Sequence, residues 1–586
     1  MALSRRRRVL ARIRRLTRND QLMLVGLALV IGAAAGLGSV GFRMLLALVQ
    51  MLAFGTPDDS LHGFAARLPW RHLLLATILG GLAVGLYIHF ILRDRHPNGV
   101  GQVMEASALH GGRMSLSRGL HGALVNAWSL GVGGSGGREG PVVHLGASIG
   151  SWVAGRLHLA RGLTRTLLAC GIAAAVAASF NTPLAGVFFA LEVVIGHYAL
   201  SAFAPIVIAS VLATVIARIQ YGPFPAFIIP EYSLGSALEF PAFALLGVTA
   251  AIAAILLMRS IAIVQDVFAR LPLPTWLHPA VGGIALGLIA IAFPHVLGVG
   301  YGPTDEALKG LYPLWLLVAL IVAKIAATAV TLGSGWGGGM FSPALFVGAM
   351  TGGAFGAIAG KVVPELFSGE GAYAMVGMGA VAGAVLGAPI STILIIFELT
   401  GDYELSMAVM VATVLAAIIA RQLHGSSYFR WMLERRGIDI EARPMLDILR
   451  TMTVARVMRR DCPALSYDAS LAELRRRLRD APYGELFVTT ADGRLYGAIT
   501  FADLADLPEG GERVARDLAR RDLPVLTISD TLETALALLG RVDAPQVAVV
   551  DDPTQRRLVG VLQERDLMWA YSKALMRVRR EEGAAY

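Results

Sequence analysis

Long apolar stretches dominate the chain from Leu22 until about residue 420. A helix of about 20 apolar residues is long enough to cross the roughly 30 Å hydrocarbon core of a bilayer. Clear examples of such stretches lie at 73–92, 205–219, 242–258 and 311–330. Others are short or interrupted by glycine, as in transporters whose helices break inside the membrane. The pattern predicts an all-α polytopic membrane domain with broken helices.

The pattern changes at about residues 435–450, where the hydropathy drops and short strands alternate with helices. This alternation is typical of a soluble α+β domain. We therefore predict one domain in lipid and one in the cytosol. In chain order, the predicted segments are a basic N-terminus at 1–20, a membrane domain at 21–435, a linker at 436–450 and two tandem units at 451–510 and 511–580.

Composition supports a membrane protein, since 55% of the residues are hydrophobic and only 16% are charged. Such a chain is too apolar for a water-soluble protein of this length. The 66 glycines indicate closely packed or interrupted helices. The two cysteines, Cys170 and Cys462, have neither the spacing of a metal site nor that of a disulfide framework.

The distribution of arginines predicts the orientation in the membrane. Eight arginines lie within the first 18 residues, before an apolar run that lacks a signal-peptide cleavage site. Further arginines follow the last apolar stretch, at Arg421, Arg430, Arg435 and Arg436. Under the positive-inside rule both termini face the cytoplasm. The net charge of +9 is then mainly topological and does not indicate nucleic-acid binding.

An internal repeat divides the membrane part, with halves at about 21–220 and 240–425. The segment at 137–141, G-R-E-G-P, is matched by G-M-F-S-P at 339–343. Each is followed by a second matching pair, in which Pro183 precedes Glu192 and Pro389 precedes Glu398 by the same spacing. Halves related in this way are often inverted in the membrane, with the solute site where interrupted helices meet. The shared position of Glu192 and Glu398 favours a common packing or capping role over proton transfer.

The glycine and proline pattern at these segments suits anion binding. An anion in hydrocarbon costs on the order of tens of kcal/mol, so a pore must replace its hydration shell. A helix N-terminus offers about half an elementary charge and several unpaired N–H donors, which bind an anion without trapping it. Glycine lets the backbone approach the ion, and proline suits a first helical turn. These residue types recur at Gly136, Gly137, Gly140, Pro141, Gly338, Gly339 and Pro343.

Glu139 is the candidate gate, because its carboxylate would compete with an anion for the N–H groups of a helix start. Ionised, it would occupy the anion position. Protonated or displaced, it would let the anion pass, so conduction would depend on pH, voltage and chloride. The alternatives are that Glu139 caps a helix or pairs with the adjacent Arg138. Lys324, which lies in an apolar run, is expected to form a structural ion pair.

With these motifs the sequence resembles the CLC family of chloride channels and chloride/proton exchangers over nearly its whole length. The motifs, in family order, are G-R-E-G-P at 137–141, N-T-P-L-A-G at 181–186, G-M-F-S-P at 339–343 and the A-P-I segment leading to 398–400. The resemblance implies a homodimer of inverted repeats with one pore per subunit, in a bacterial inner or plasma membrane. It implies that Glu139 gates the pore and that the backbone amides of Met340 and Phe341 face the anion. Arg138 and Gly140 join them as anion-binding residues.

Three positions bear on how far the family pattern applies. The family's first pore loop usually reads G-S-G-I-P, whereas Val100 replaces the serine here, so the preference for chloride over nitrate is in doubt. Exchangers of the family typically carry a second glutamate where this chain has Val193, which cannot carry a proton. The family's pore tyrosine falls at Tyr428, or at Phe429 if the register slips by one. We prefer Tyr428, because a phenol can donate a hydrogen bond to an anion.

The tandem tail resembles a pair of CBS domains, which often accompany CLC membrane domains. In the first copy Thr500 and Asp503 match positions that often hold nucleotide phosphate and ribose, while the second copy keeps Asp566 but lacks the hydroxyl. One adenine nucleotide could bind between the copies. The alternative is a purely structural dimerisation module. No cofactor is otherwise required.

These observations predict a gated chloride channel without obligatory proton coupling. The nearest alternative is a chloride/proton antiporter, which differs at Val193 and in whether flux moves protons. A CBS-regulated divalent-cation transporter is more remote, since the few intramembrane acids lie beside N–H-rich helix starts. Nothing in the sequence indicates an enzyme, because there is no nucleophile–base pair, metal cluster or phosphate loop.

Overall fold

The computed structural model describes residues 20–57, 61–92, 99–196, 200–222, 227, 236–438, 440, 449, 452–505, 513–542 and 545–583. Two compact units divide the chain near Ile440 and Glu441. Residues 1–19 of the predicted basic N-terminus at 1–20 and most of the predicted linker at 436–450 lie outside the described residues.

The first unit is helical. Its first half contains α1 (Asp20–Phe54), α2 (Leu61–Ala65), α3 (Trp70–Phe90), α4 (Val100–Leu109), α5 (Leu116–Gly131), α6 (Glu139–Arg156), α7 (Arg161–Phe180), α8 (Pro183–Phe189) and α9 (Leu200–Tyr221). Its second half contains α10 (Phe240–Arg270), α11 (His278–Ala292), α12 (Tyr301–Leu308), α13 (Leu314–Gly333), α14 (Phe341–Val362), α15 (Glu370–Leu386), α16 (Pro389–Thr400), α17 (Tyr403–His424) and α18 (Tyr428–Glu434). A π-helical turn, Ala190–Ile195, continues α8.

Nine stretches of helix in the described part are long and apolar enough to cross a membrane. Shorter apolar helices lie between them, at Pro183–Ile195, Glu370–Leu386 and Pro389–Thr400. Long and short helices therefore alternate, as the interrupted hydropathy pattern predicts. The order from α5 to α9 is repeated from α13 to α17, which gives the internal repeat a structural counterpart.

The core of this unit lies around α7, α14 and α15, whose buried faces consist largely of alanine, glycine and valine. Small residues let these helices approach closely. A Cβ placed on Gly348 of α14 would lie only 2.5 Å from the carbonyl oxygen of Gly377 in α15. The glycines at this crossing are therefore required by the distance between the two backbones.

The second unit is an α+β tandem. Its elements are β1 (Ala464–Ser466), α19 (Leu471–Asp480), β2 (Glu485–Thr489), β3 (Leu495–Thr500), α20 (Ala515–Leu518), β4 (Val525–Thr527), α21 (Leu532–Val542), β5 (Gln546–Val550), β6 (Leu558–Gln563) and α22 (Glu564–Gly583). Each copy forms a three-stranded sheet in which the first strand is parallel to the second and the second antiparallel to the third. The strands β1 and β4 have three residues each, which is too short for an alternating pattern to be recognised in the sequence.

In each copy, the segment that precedes the first strand pairs with a strand of the other copy. Arg459, ahead of β1, forms a bridge with Val561 in β6 of the second copy. Arg520, ahead of β4, forms a bridge with Ala498 in β3 of the first copy. Val454 is buried in the core of the second copy in the same way. Each copy thus completes the other, and the pair is one folded unit.

Candidate functional site

The starts of α6 and α14 meet in the middle of the first unit. Gly137 and Gly339, just ahead of these helices, form an antiparallel bridge in which each amide nitrogen lies 2.7 Å from the other's carbonyl oxygen. Each helix start carries unpaired N–H groups and a partial positive charge. Their convergence creates a place where an anion is favoured over a cation.

Glycine is required for this close approach. A Cβ on Gly339 would lie 2.9 Å from the amide nitrogen of Gly140, and a Cβ on Gly136 would lie 3.2 Å from the Cα of Gly338. Side chains at these positions would push the two helix starts apart. The glycines that we identified from sequence as allowing backbone approach do bring the two backbones together here.

A cavity of about 710 Å³ reaches the two helix starts. Its lining includes four of the predicted anion-binding residues, Val100, Gly140, Met340 and Tyr428. Phe341, another predicted anion-binding residue, packs its ring against Phe180 and Phe189, with ring centroids 4.9 and 6.0 Å away. Phe429 lines the cavity next to Tyr428, so both candidates for the pore aromatic border the same space.

Gln102 is a polar group at this cavity that our sequence analysis missed. Val100, at the start of α4, offers no hydroxyl, but Gln102 lines the same cavity two residues later. The Gly99 amide donates to the Gln102 side-chain oxygen at 2.8 Å. With its oxygen engaged, the side-chain nitrogen is the group of Gln102 that remains as a hydrogen-bond donor. The family motif carries no signal for Gln102, because its pore hydroxyl belongs to the serine position, which is Val100 in this chain.

The Glu139 carboxylate is buried, with 1% of the residue exposed. The Tyr301 hydroxyl donates to its Oε1 at 2.6 Å, and the Ser342 hydroxyl lies 2.9 and 2.7 Å from its two oxygens. The Arg138 Nε lies 4.0 Å away, a long separation for an ion pair. Glu139 is thus held by hydroxyls from the second half of the unit, with the Arg138 guanidinium at the edge of ion-pair distance. Sequence offered no signal for Tyr301, and Ser342 was visible only as part of a motif.

The residues on either side of Glu139 in the chain line two different cavities. Its neighbour Gly140 lines the large cavity, whereas Arg138 lines a second, small cavity of about 10 Å³. Arg43 and Tyr221 also line the small cavity, and Glu139 lines neither of them. The chain at Glu139 therefore passes from a residue that borders one cavity to a residue that borders the other.

Glu192 and Glu398 cap each other's helices across the repeat. The amides of Ile390 and Ser391, at the start of α16, donate to the Glu192 carboxylate at 3.1 and 2.8 Å. The Glu398 carboxylate accepts from the start of α8 in the same way, with distances of 2.9 and 2.8 Å to the amides of residues 184 and 185. The expected capping role is confirmed. Val193, buried beside Glu192 in the π-helical turn, carries no titratable group.

The prediction that Lys324 forms an ion pair is wrong. Its ammonium group is fully buried and donates to the carbonyl oxygens of Val296 and Gly298, at 3.0 and 3.2 Å. It also lies 5.0 Å from the ring centroid of Phe346. None of the salt bridges between described residues involves Lys324. The turn before α12 supplies carbonyl dipoles instead, because its non-helical backbone leaves those oxygens unpaired.

The nucleotide candidates lie in the second unit, where each aspartate is already engaged. The backbone amide and hydroxyl of Thr500 donate to Asp503 at 2.7 and 2.8 Å, and the Arg520 Nε lies 3.4 Å from the same carboxylate. Asp566 forms a bidentate pair with Arg459, whose hydrogen bonds lower the pKa of the carboxyl group. Asp566 would have to release Arg459 before it could bind a ribose.

Comparison with known families covers both units. The model described as the voltage gated chloride channel matches residues 80–421, and the model described as the CBS domain matches residues 454–510 and 515–573.

Individual relatives agree with these matches. A putative chloride channel protein, ClcB-like, from Ralstonia nicotianae is 34% identical over 421 residues, which cover 71% of this chain and 98% of that protein. Chloride channel protein CLC-f from Arabidopsis thaliana is 28% identical over 548 residues, or 82% of this chain and 69% of that protein. The solved structure of a slow cyanobacterial chloride/proton antiporter has a TM-score of 0.63 at 24% identity, covering 72% of this chain and 99% of the other. This structural likeness shows the fold.

Proposed function

Because this chain belongs to the voltage-gated chloride channel family, we propose that it is a gated chloride channel in which Glu139 is the gate and proton movement is not obligatory. As a family member with apolar helices long enough to span a bilayer, it is an integral membrane protein that moves ions. We further assign both termini to the cytoplasm, from the arginines that flank its apolar part. We assign the protein to a bacterial plasma membrane because the 34% identical relative from Ralstonia nicotianae is bacterial.

The observation that carries this proposal is the position of the Glu139 carboxylate. It is buried where two helix starts converge, between a residue that faces one cavity and a residue that faces the other. A carboxylate and a chloride ion compete for the same partial positive charge. An anion can pass this point only when Glu139 is protonated or moves aside.

The gate is tested by Glu139→Gln in proteoliposomes. The amide mimics the protonated carboxyl group, so basal chloride efflux should rise and its dependence on pH should flatten. Glu404→Gln, at an exposed position on α17, is the matched control and should behave like the wild type. Wild-type flux and wild-type pH response in Glu139→Gln would reject the gate.

The proposal that proton coupling is not obligatory rests on Val193. Valine cannot carry a proton, and the position follows Glu192, whose carboxylate is engaged in capping α16. The second candidate function is exchange, since a protein of similar fold is described as a chloride/proton antiporter. Chloride efflux recorded with a pH electrode in the same chamber separates the two. Efflux without uphill proton movement supports a channel, and stoichiometric proton uptake supports an exchanger.

We assign the face formed by α8 and α16 to contact with a second copy of the chain. Both helices are too short to cross the bilayer, and their glutamates, Glu192 and Glu398, are only partly buried. Leu184 and Ile390, at equivalent positions on the two helices, are 44% and 42% exposed. Carboxylates that face lipid are costly, whereas a protein partner would cover them. Cross-linking of Ile390→Cys in membranes should trap a dimer, and a monomer under these conditions would reject this assignment.

The tail is proposed to bind one adenine nucleotide between its two copies. Thr500, Asp503 and Asp566 supply hydroxyl and carboxylate groups suited to phosphate and ribose. Arg459 and Arg520, each next to one aspartate, offer guanidinium groups that match phosphate geometry. The alternative is a structural module without a ligand, and a binding measurement distinguishes them.

A further inference from the structure

Two hydroxyl groups from the second repeat converge on the Glu139 carboxylate. Tyr301 is the first residue of α12, and Ser342 is the second residue of α14. Their oxygens lie 2.6 to 2.9 Å from the carboxylate oxygens. Both residues are nearly as deeply buried as Glu139 itself, so water does not compete for these hydrogen bonds.

The Tyr301 hydroxyl is held in position by its surroundings. The Arg138 guanidinium lies over the Tyr301 ring, 4.4 Å from its centroid, and the ring of Phe227 packs at 4.7 Å. The turn that leads into Tyr301 is fixed by the buried Lys324, which binds the carbonyls of Val296 and Gly298. The hydroxyl is therefore preorganised toward the carboxylate and does not depend on a mobile side chain.

Hydroxyl donors distinguish the ionised carboxylate from the protonated carboxyl group. An ionised carboxylate accepts at both oxygens, and hydrogen bonds to it are stronger than those between neutral groups. A protonated carboxyl group loses one of these acceptor sites. The two donors, together with the Arg138 guanidinium 4.0 Å from Oε1, thus stabilise the state in which Glu139 is charged and fills the anion position.

We infer that Tyr301 and Ser342 form a latch that holds Glu139 in its closed position and sets the proton concentration at which the gate opens. This inference rests on the proposed gating role of Glu139. The latch acts through Glu139, so both are positioning residues. It joins the two repeats, since the gate lies on the first and its two donors lie on the second.

The test measures chloride efflux from proteoliposomes as a function of pH. Without a donor, the closed and charged state is less stable, so a lower proton concentration suffices to open the gate. Tyr301→Phe and Ser342→Ala should each raise the pH of half-maximal flux by about one unit, equivalent to about 1.4 kcal/mol. The double variant should shift it further. Unshifted profiles in both single variants would overturn the latch.

A control variant, and the same latch variants made in Glu139→Gln, show whether the shift in the pH profile comes from the contacts to Glu139. Tyr373→Phe removes another buried tyrosine hydroxyl that bonds a carboxylate, Glu239, at 3.2 Å, but does not touch the gate. Its profile should stay at the wild-type pH. In Glu139→Gln the latch variants should add nothing, and any further pH shift there would assign the effect to another group. Absence of chloride flux in the wild type would reject the proposed function itself, whereas wild-type flux with unshifted variants rejects only the latch.

Discussion

Gly137 and Gly339 are joined by two backbone hydrogen bonds, with each amide nitrogen 2.7 Å from the other residue's carbonyl oxygen. A pair of antiparallel residues that exchange both bonds has local two-fold symmetry. Glu192 and Glu398 show the same two-fold relationship, because each caps a helix in the opposite repeat. Neither repeat can complete the helix starts alone, so the candidate site exists only where the two meet.

The reciprocal caps predict a matched pair of stability effects. Glu192→Gln and Glu398→Gln each replace a carboxylate that accepts two backbone N–H groups with an amide that can accept at only one oxygen. Each should lower the stability of the membrane unit by about 1.5–3 kcal/mol, the range for hydrogen bonds to charged groups. Thermal unfolding of the detergent-solubilised protein measures the loss.

Chloride flux per folded molecule separates capping from proton transfer. If the two glutamates serve as caps, both variants should retain the ion coupling of the wild type. Altered proton coupling with unchanged thermal stability in either variant would contradict the capping role and indicate a proton path.

Local sequence predicted the helix starts because glycine and proline report backbone conformation directly. The segments at 137–141 and 339–343 could be recognised as a related pair, and their convergence follows from the repeat. The spacing from Pro183 to Glu192 and from Pro389 to Glu398 likewise indicated a common role. These features depend on the residues themselves and on symmetry.

The remaining contacts depend on tertiary structure that leaves no local pattern. Tyr301 is a lone tyrosine far along the chain from Glu139, and only the packing of α12 brings its hydroxyl to the gate. Lys324 is bound by backbone carbonyls, which any residue type can supply, so its partners could not be read from side chains. Gln102 was missed because the motif directs attention to Val100.

Val100→Thr tests whether the missing pore hydroxyl affects selectivity. Threonine has nearly the shape of valine and adds one O–H donor at a helix start that lines the large cavity. A hydrogen bond of about 1 kcal/mol to chloride should raise the preference for chloride over nitrate about fivefold. Efflux of the two anions from proteoliposomes gives the ratio. Val100→Ala, which adds no hydroxyl, should keep the wild-type ratio, and a wild type that already prefers chloride strongly would argue against a role for the hydroxyl.

Asp503→Asn tests nucleotide binding by the tail in the full-length protein. Asparagine can no longer accept from two ribose hydroxyls, and the affinity for ATP should fall about tenfold, or about 1.4 kcal/mol. Asp566→Asn should have a smaller effect, because Arg459 already occupies that carboxylate. Asp468→Asn, at an exposed ion pair with Arg516, should leave binding unchanged. If the wild type does not bind ATP, the tail is a structural module.

A histidine cluster lies outside the helices that are long and apolar enough to span a membrane. The ring of His295 stacks on His62, with centroids 5.2 Å apart, and meets the ring of Tyr312 edge-on at 5.7 Å. Glu306, the acidic group of the cluster, accepts a hydrogen bond from Tyr312 and lies 3.2 Å from His62. Burial, followed by the nearby His62, lowers the pKa of His295 from 6.5 to about 4. The folded protein therefore keeps His295 neutral at pH values where the unfolded chain protonates it.

This difference gives stability a defined pH dependence. Above pH 6.5 both states are neutral at His295, and the histidine adds no slope. Between pH 6.5 and about 4 the unfolded state binds a proton that the folded state excludes, so stability falls as the pH falls. His295→Phe keeps the ring packing without the titration and should reduce the fall in melting temperature across this window by about 2 °C or more. His110→Gln, at an exposed position, should retain the wild-type slope, and an unchanged slope in His295→Phe would assign the acid sensitivity to another group.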